Sequence, residues 1–274
     1  MLCITFDNFG LVAQLPTCPF PDIVPAEEWA NYNQIGLTLG QPRLLNLLKQ
    51  LRIPTTYFAE GFSAILHPTE LKRWRDAGHE IALHAWKHEM WSNLPSKERE
   101  EELIALSVSS MKDVLGEGPQ GFRPPGLKIN SWSDEIFEKH GIRYVSQALE
   151  REPTYENKYG PLGITYTEQN SPILISRLKV LNTPDTQIDA TQLSPAFGGL
   201  VGTLDDDQAY ELFHEQASVH ERSKPEEPWV FIIHPFCSGN RAWAGCERFL
   251  RRLHAEFGSG VFKTARDAAF GTAG

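Results

Sequence analysis

The sequence predicts an α/β fold, a distorted (β/α) barrel of seven or eight units, on three observations. Short runs of β-branched and aromatic residues alternate with longer amphipathic patterns, the order that parallel strands with helical crossovers produce. The clearest run, Trp229-Val-Phe-Ile-Ile233, is apolar without a break, as a strand reads when both of its faces are covered. Polar or ionisable residues follow four of these runs, at Asp7-Asn8, His84, Arg123 and His234, and the C-terminal strand ends are where a parallel barrel gathers its chemistry.

Composition sets the bounds. A chain of 274 residues, 41% hydrophobic and 22% charged, suits one α/β domain spanning 1–274 with a full core. A net charge of -9 without any basic run argues against nucleic acid as a partner, and no apolar stretch has the length of a membrane span. The expected partner is a small molecule, and an oligomer is compatible with this composition. Cys3, Cys18, Cys237 and Cys246 have no C-x-x-C spacing and read as free thiols. The start has no basic segment and no long apolar segment, so the expected compartment is the cytoplasm.

In order, residues 2–6 read as a buried strand ending in the breaker Asp7-Asn-Phe-Gly10, and residues 11–40 as an irregular, proline-interrupted connection. Residues 42–51 carry leucines at 44, 45, 47, 48 and 51, an amphipathic helix. A strand at 55–59 follows. A helix at 68–77 closes at Gly78, and a strand at 79–83 delivers His84-Ala-Trp-Lys-His88. Imidazoles at this spacing share one side of a helical turn, so both ring nitrogens can reach one divalent cation. The strongest helix covers 96–115, with Ser96 as N-cap and Glu98 and Glu100 in its first turn, where negative charge suits the helix dipole. Then come a short strand at Gly121-Phe-Arg123, a helix at 133–140, a strand at 144–148, a loop over 150–170 and a strand at 173–177. A helix at 204–222, the strand at 229–235, a helix at 242–257 and a last strand at 261–263 complete the pattern.

Four ordered segments resemble the polysaccharide deacetylase family, the NodB-homology group or carbohydrate esterase family four. Thr5-Phe-Asp-Asn8 resembles its Thr-Phe-Asp-Asp motif, and Gly78-His-Glu-Ile81 with His84 and His88 its second motif. Arg123-Pro-Pro-Gly126 approximates Arg-x-Pro-x-Gly, one residue short, and Phe231-Ile-Ile-His234 the late Leu/Ile-x-x-His. Asn8 stands where the family carries a metal-binding aspartate, and the fourth motif, Asp-Trp, has no match in Gln147-Ala-Leu-Glu-Arg151. His-Pro-Phe-Cys-Ser-Gly239 looks more like the branch of peptidoglycan deacetylase-like proteins and allantoinase-type or cyclic-imide hydrolases.

The resemblance implies a NodB-type barrel and hydrolysis of a carbon–nitrogen bond, most simply N-deacetylation or deformylation of a small N-acylated amino sugar or glycoside. The alternatives are a cyclic-amide or ureide hydrolase, without a metal in some cases, and a silent carbohydrate binder. Amide hydrolysis needs a water, a base, a group that polarises the carbonyl and an acid for the leaving amine. His84, His88 and the Asn8 side-chain oxygen are the expected ligands of a divalent metal, Zn²⁺ first, with Co²⁺, Ni²⁺ or Mn²⁺ as substitutes. Asp7 is the expected base, Arg123 its orienting partner and His234 the acid. Glu150, Asp185 and Asp189 are candidates for orienting His234. Phe9, Trp86, Trp91, Pro125 and Phe236 flank these motifs and are the expected substrate wall.

Overall fold

The computed structural model describes residues 1–10, 34–147, 179–180, 187–189, 206–235 and 243–271. The expected strand at 173–177 and loop at 150–170, as well as Cys18, Glu150, Asp185, Phe236 and Cys237, lie outside them.

Eight parallel strands form one sheet: β1 (Leu2–Asp7), β2 (Thr56–Ala59), β3 (Glu80–Leu83), β4 (Gly121–Phe122), β5 (Tyr144–Val145), β6 (Lys179–Val180), β7 (Gln187–Asp189) and β8 (Trp229–Ile233). Their order is β6-β5-β4-β3-β2-β1-β8-β7, so β1 lies inside the sheet and pairs with β2 on one side and β8 on the other. Among the described residues β6 and β7 do not pair with each other. The predicted barrel is therefore present in its distorted form, as a parallel sheet curled on itself.

Strand alternation sorts the side chains into two cores. Leu2, Ile4 and Phe6 of β1 join a large cluster with Leu44, Leu47 and Leu48 and with Phe249, Leu250 and Leu253, between the sheet and the helices. Cys3 joins a smaller cluster with Phe58, Ala82, Tyr144 and Val230, inside the curl. Every residue of β1, β2, β3 and β8 is buried, which is why these strands are legible as short apolar runs. Burial also pushes the Cys3 thiol up to about 12, so it is an inert core thiol.

The helical layer comprises α1 (Gln41–Leu51), α2 (Ser63–Leu66), α3 (Pro68–Asp76), α4 (Lys97–Leu115), α5 (Ser133–Lys139), α6 (Asp206–Ser223), α7 (Trp243–Phe257) and α8 (Ala265–Phe270). Helix α4 starts as expected, with Ser96 Oγ accepting the Arg99 N–H at 3.3 Å, and it stops at Gly116 in the left-handed region (φ 83°).

Two expectations change. The connection expected to stay irregular to residue 40 is already helical at 34–35 and runs through the π-turn Gly36–Gly40 into α1. The strand expected at 261–263 is reduced to one bridge between Phe262 and Leu2, because Ser259–Val261 form a 3-10 turn and Thr264 caps α8, its Oγ1 accepting the Asp267 N–H at 3.0 Å.

Helix α8 closes the N-terminal end of the curl. Ala265 N–H donates to Thr56 Oγ1 at 2.7 Å and Arg266 N–H to Glu80 Oε2 at 3.0 Å, while Tyr144 donates its hydroxyl to Glu80 Oε1 at 2.9 Å. Gly121 makes room for that tyrosine: a Cβ there would sit 2.1 Å from Tyr144 Cζ. The ring has nowhere to retreat while Glu80 holds its hydroxyl and Phe58 and Phe270 flank it. Gly121→Ala is expected to cost roughly 1–3 kcal/mol by overpacking, measurable as a lower urea midpoint with an unchanged m-value.

Candidate active site

Register gathers the polar residues at the C-terminal end of the sheet. Phe6 pairs with Ile233, so one step further Asp7 neighbours His234; Ala59 pairs with Leu83, so Glu60 neighbours His84. Leu83 pairs with Phe122 and the Arg123 N–H donates to the Leu83 carbonyl at 2.9 Å, which places Arg123 beside His84. Asp7, Asn8, His84 and Arg123 are buried, and His234 is at the margin of burial with 9% exposure. Segments far apart in sequence thus converge at one mouth.

Asp7 is fixed by Arg123. Nη1 of the guanidinium donates to Asp7 Oδ1 at 2.7 Å and to Thr5 Oγ1 at 2.9 Å, while Nε and Nη2 both donate to Ser146 Oγ, at 3.1 and 2.9 Å. Its flat face lies 4.0 Å from the Phe58 ring centroid. A planar fork held on three sides cannot swing, so Asp7 keeps one orientation. The other carboxylate oxygen, Oδ2, stands 3.9 Å from His84 Nε2.

The imidazole pair is presented by a turn. Ala85 and His88 both have left-handed backbones (φ 63° and 64°), so 84–88 is not the helical turn that the spacing suggests; the rings still meet edge to face with centroids 5.0 Å apart. His84 Nδ1 lies 2.7 Å from the Arg123 carbonyl, which can only accept; Nδ1 therefore carries the proton and Nε2 keeps its lone pair, facing Asp7. Burial pushes His84 down to about 3, against the opposing Arg123 carbonyl and with help from the charges of Arg123 and His234. His88 is also lowered to about 3, by burial and then by His84 and His234.

These shifts set a pH dependence. Unfolded imidazoles bind protons near 6.5 and these two only near 3, so between those values the unfolded chain holds more protons. Stability of the cation-free fold due to this pair is full above pH 6.5 and falls as acid is added through the window. In urea titrations between pH 4 and 6.5, His84→Gln is expected to show a shallower slope of stability against pH than the parent.

Asn8 completes the set. Its backbone is left-handed (φ 63°), and its buried Oδ1 has no hydrogen-bond partner among the described residues. A buried amide oxygen without a donor is costly unless something positive sits against it. Among the described residues no three His, Cys, Asp or Glu side chains form a cation-binding group, so a cation here depends on this amide as third donor. Two neutral imidazoles and a bare carbonyl oxygen fit a divalent ion and leave room in its shell for water and substrate.

The expected substrate wall is only partly a wall. Phe9 is fully buried with its ring 4.6 Å from Tyr57, and Trp91 is fully buried with its ring 4.8 Å from Phe122; both pack the core, a correction of the sequence expectation. Trp86 keeps 8% exposure and meets Phe62 edge to face, and Pro125 is buried at the start of the turn Pro125–Leu127. Gly126 in that turn needs its freedom (φ 77°), since a Cβ would also lie 2.6 Å from Met90 Cε. Asp189 ends β7 in register with Ile232, two residues before His234.

Sequence reasoning missed three partners. Ser146, just after β5, carries Arg123. Tyr57 donates its hydroxyl to the Asn8 carbonyl at 3.1 Å. Glu60 is completely buried one step past β2; Phe58, two residues earlier, lies in the inner cluster, and that period-2 relation was the available signal for an inward side chain. Burial pushes the Glu60 carboxyl up to about 8, against the Phe9 N–H that it accepts.

Residues 34–145 match the polysaccharide deacetylase family. The chain is 35% identical over 106 residues to a peptidoglycan deacetylase of Helicobacter pylori, covering 39% of this chain and 36% of that protein. It is 34% identical over 104 residues to chitin deacetylase 1 of Cryptococcus neoformans, covering 38% and 22%. The alignments thus span about a third or less of these relatives' length. In fold, the chain is similar to a putative polysaccharide deacetylase of Mycobacterium smegmatis (TM-score 0.69, 23% identity, 94% and 84% of the two chains). It is also similar to Puue allantoinase (TM-score 0.66, 18% identity, 99% and 91%). Residues 34–145 are thus similar in sequence to the polysaccharide deacetylase family, and the curled parallel sheet has the fold of its NodB-type barrels.

Proposed function

We propose that the chain is a metal-dependent N-deacetylase, hydrolysing the amide of a small N-acetylated amino sugar or glycoside. The observation that carries this reading is the convergence of Asp7, Asn8, His84, Arg123 and His234 at the mouth, with His84 Nε2 3.9 Å from Asp7 Oδ2. Asn8 Oδ1, His84 and His88 would hold the ion, Zn²⁺ first among candidates; when bound it polarises the amide carbonyl and acidifies water.

The chain's own residues do the rest. Asp7 Oδ2, left open because Arg123 occupies Oδ1, takes a proton from the attacking water. Arg123 keeps that oxygen aimed while Ser146 and Thr5 hold the guanidinium. His84 commits Nδ1–H to the Arg123 carbonyl, so its other nitrogen stays free of a proton. His234, on the neighbouring strand from Asp7 and close enough to lower both other imidazoles, delivers a proton to the departing amine.

The test combines metal analysis with product detection. Purified protein loaded with Zn²⁺ is expected to release acetate from N-acetylglucosamine or its short glycosides, and to stop when the metal is chelated. Cleavage of cyclic imides or ureides that survives chelation, with no acetate from any N-acetylated sugar, would replace the deacetylase reading.

A further inference from the structure

We propose that Glu60 is a positioning residue that locks the Asn8–Phe9 corner and so presents the Asn8 amide to the metal. The inference rests on the metal reading above and extends it to a residue that takes no part in the chemistry described there.

The corner is an unfavourable piece of backbone. Asn8 sits in the left-handed region at φ 63°, next to Phe9, whose peptide is buried. Asparagine tolerates that conformation better than most residues, but it keeps it only where the neighbours over-determine it. Three side chains from one stretch do so. Tyr57 donates to the Asn8 carbonyl at 3.1 Å, Glu60 Oε2 accepts the Phe9 N–H at 2.9 Å, and Ser63 Oγ donates to the Phe9 carbonyl at 3.1 Å. These contacts pair the Asn8 carbonyl, the Phe9 N–H and the Phe9 carbonyl. Ser63 Oγ also lies 3.5 Å from Glu60 Oε2, which ties the clamp together.

The backbone beside Glu60 is itself fixed. The carboxyl is completely buried, and the adjoining Gly61 and Phe62 N–H groups donate to the Ala85 and Trp86 carbonyls at 2.9 and 3.0 Å. The same segment therefore grips the turn between His84 and His88 through its backbone and the Asn8 corner through its side chain. One short piece of chain sets the spacing between the amide donor and the imidazole donors. Gly61 lets it lie this low: a Cβ there would come within 2.6 Å of Ser107 Cβ in α4.

The experiment measures Zn²⁺ affinity by competition with a chromogenic chelator, for the full chain and for Glu60→Ala, Glu60→Gln and Ser63→Ala. Outer contacts of this kind are worth about 10–100-fold in metal affinity, so Glu60→Ala is expected to bind Zn²⁺ that much more weakly. Glu60→Gln restores most of the loss, because its amide oxygen still accepts the Phe9 N–H. Leu253→Ala, in the outer helical layer, lowers thermal stability without moving affinity, which separates positioning from general loosening. If Glu60→Ala does not fold, the Ser63→Ala and Glu60→Gln pair carries the test, weakened and near-parent binding respectively. Parent-like affinity in Glu60→Ala, or in Ser63→Ala where that pair carries the test, or a Glu60→Gln as weak as Glu60→Ala, overturns the proposal. A parent chain that binds no Zn²⁺ overturns the metal reading itself, and is distinguished by appearing before any variant is made.

Discussion

Asp7→Asn is expected to lower kcat for deacetylation by about 10²–10⁴-fold, the range over which a positioned general base contributes. Asparagine is chosen because it keeps the shape and the contact to Arg123: its amide oxygen can still accept the Nη1–H that now reaches Oδ1 at 2.7 Å. What it loses is the proton acceptor at Oδ2, the oxygen facing His84. Zn²⁺ affinity should stay close to the parent's, since Asp7 is not among the three expected donors. The informative measurement is therefore paired: acetate release under saturating substrate, and metal content of the same preparation. A variant that keeps Zn²⁺ and loses turnover places the base at Asp7. One that retains activity within tenfold of the parent moves the base elsewhere, and His234 becomes the first candidate.

Much of this site was legible because parallel strands convert sequence position into spatial position. The C-terminal residue of each buried run lands at the same end of the sheet, so Asp7, His84, Arg123 and His234 could be grouped without knowing a single contact. The illegible parts are those decided by tertiary contacts. Nothing in His84-Ala-Trp-Lys-His88 signals a left-handed Ala85, because alanine does not favour that region; the Gly61 and Phe62 N–H groups, donating to the Ala85 and Trp86 carbonyls, hold it there. Phe9 and Trp91 look like exposed aromatics beside motifs, yet their rings are needed against Tyr57 and Phe122, and sequence does not state which side of a loop a ring will take. Glu60 was lost for the opposite reason, since a carboxyl after an apolar strand reads as the return to solvent. Ser146 shows how a missing motif can mislead: the segment after β5 offers no family-like Asp-Trp pair, but its first hydroxyl carries two of the four side-chain hydrogen bonds of Arg123.

Arg123→Met is expected to be the most damaging single change to stability, about 3–5 kcal/mol, because it leaves a buried carboxylate without its partner. The parent arginine is completely buried, and removing its charge strands Asp7 and leaves Thr5 Oγ1 and Ser146 Oγ with donors missing. Methionine fills most of the volume over the Phe58 ring, so the loss is electrostatic and not a cavity effect. That distinction can be measured with a double-mutant cycle. In an Asp7→Asn background the stranded charge is gone, and Arg123→Met should cost less by an interaction energy of about 0.5–3 kcal/mol. Additive losses in the two backgrounds would mean that the guanidinium is held for its packing on Phe58 and its bonds to Ser146, and that Asp7 is incidental to it. Arg123→Lys sharpens the comparison: an ammonium can meet Asp7 Oδ1 but cannot fork to Ser146 and Thr5 at once. It should recover part of the stability that Arg123→Met loses and little of the lost turnover, because the proposed reaction needs Asp7 Oδ2 aimed and not merely neutralised.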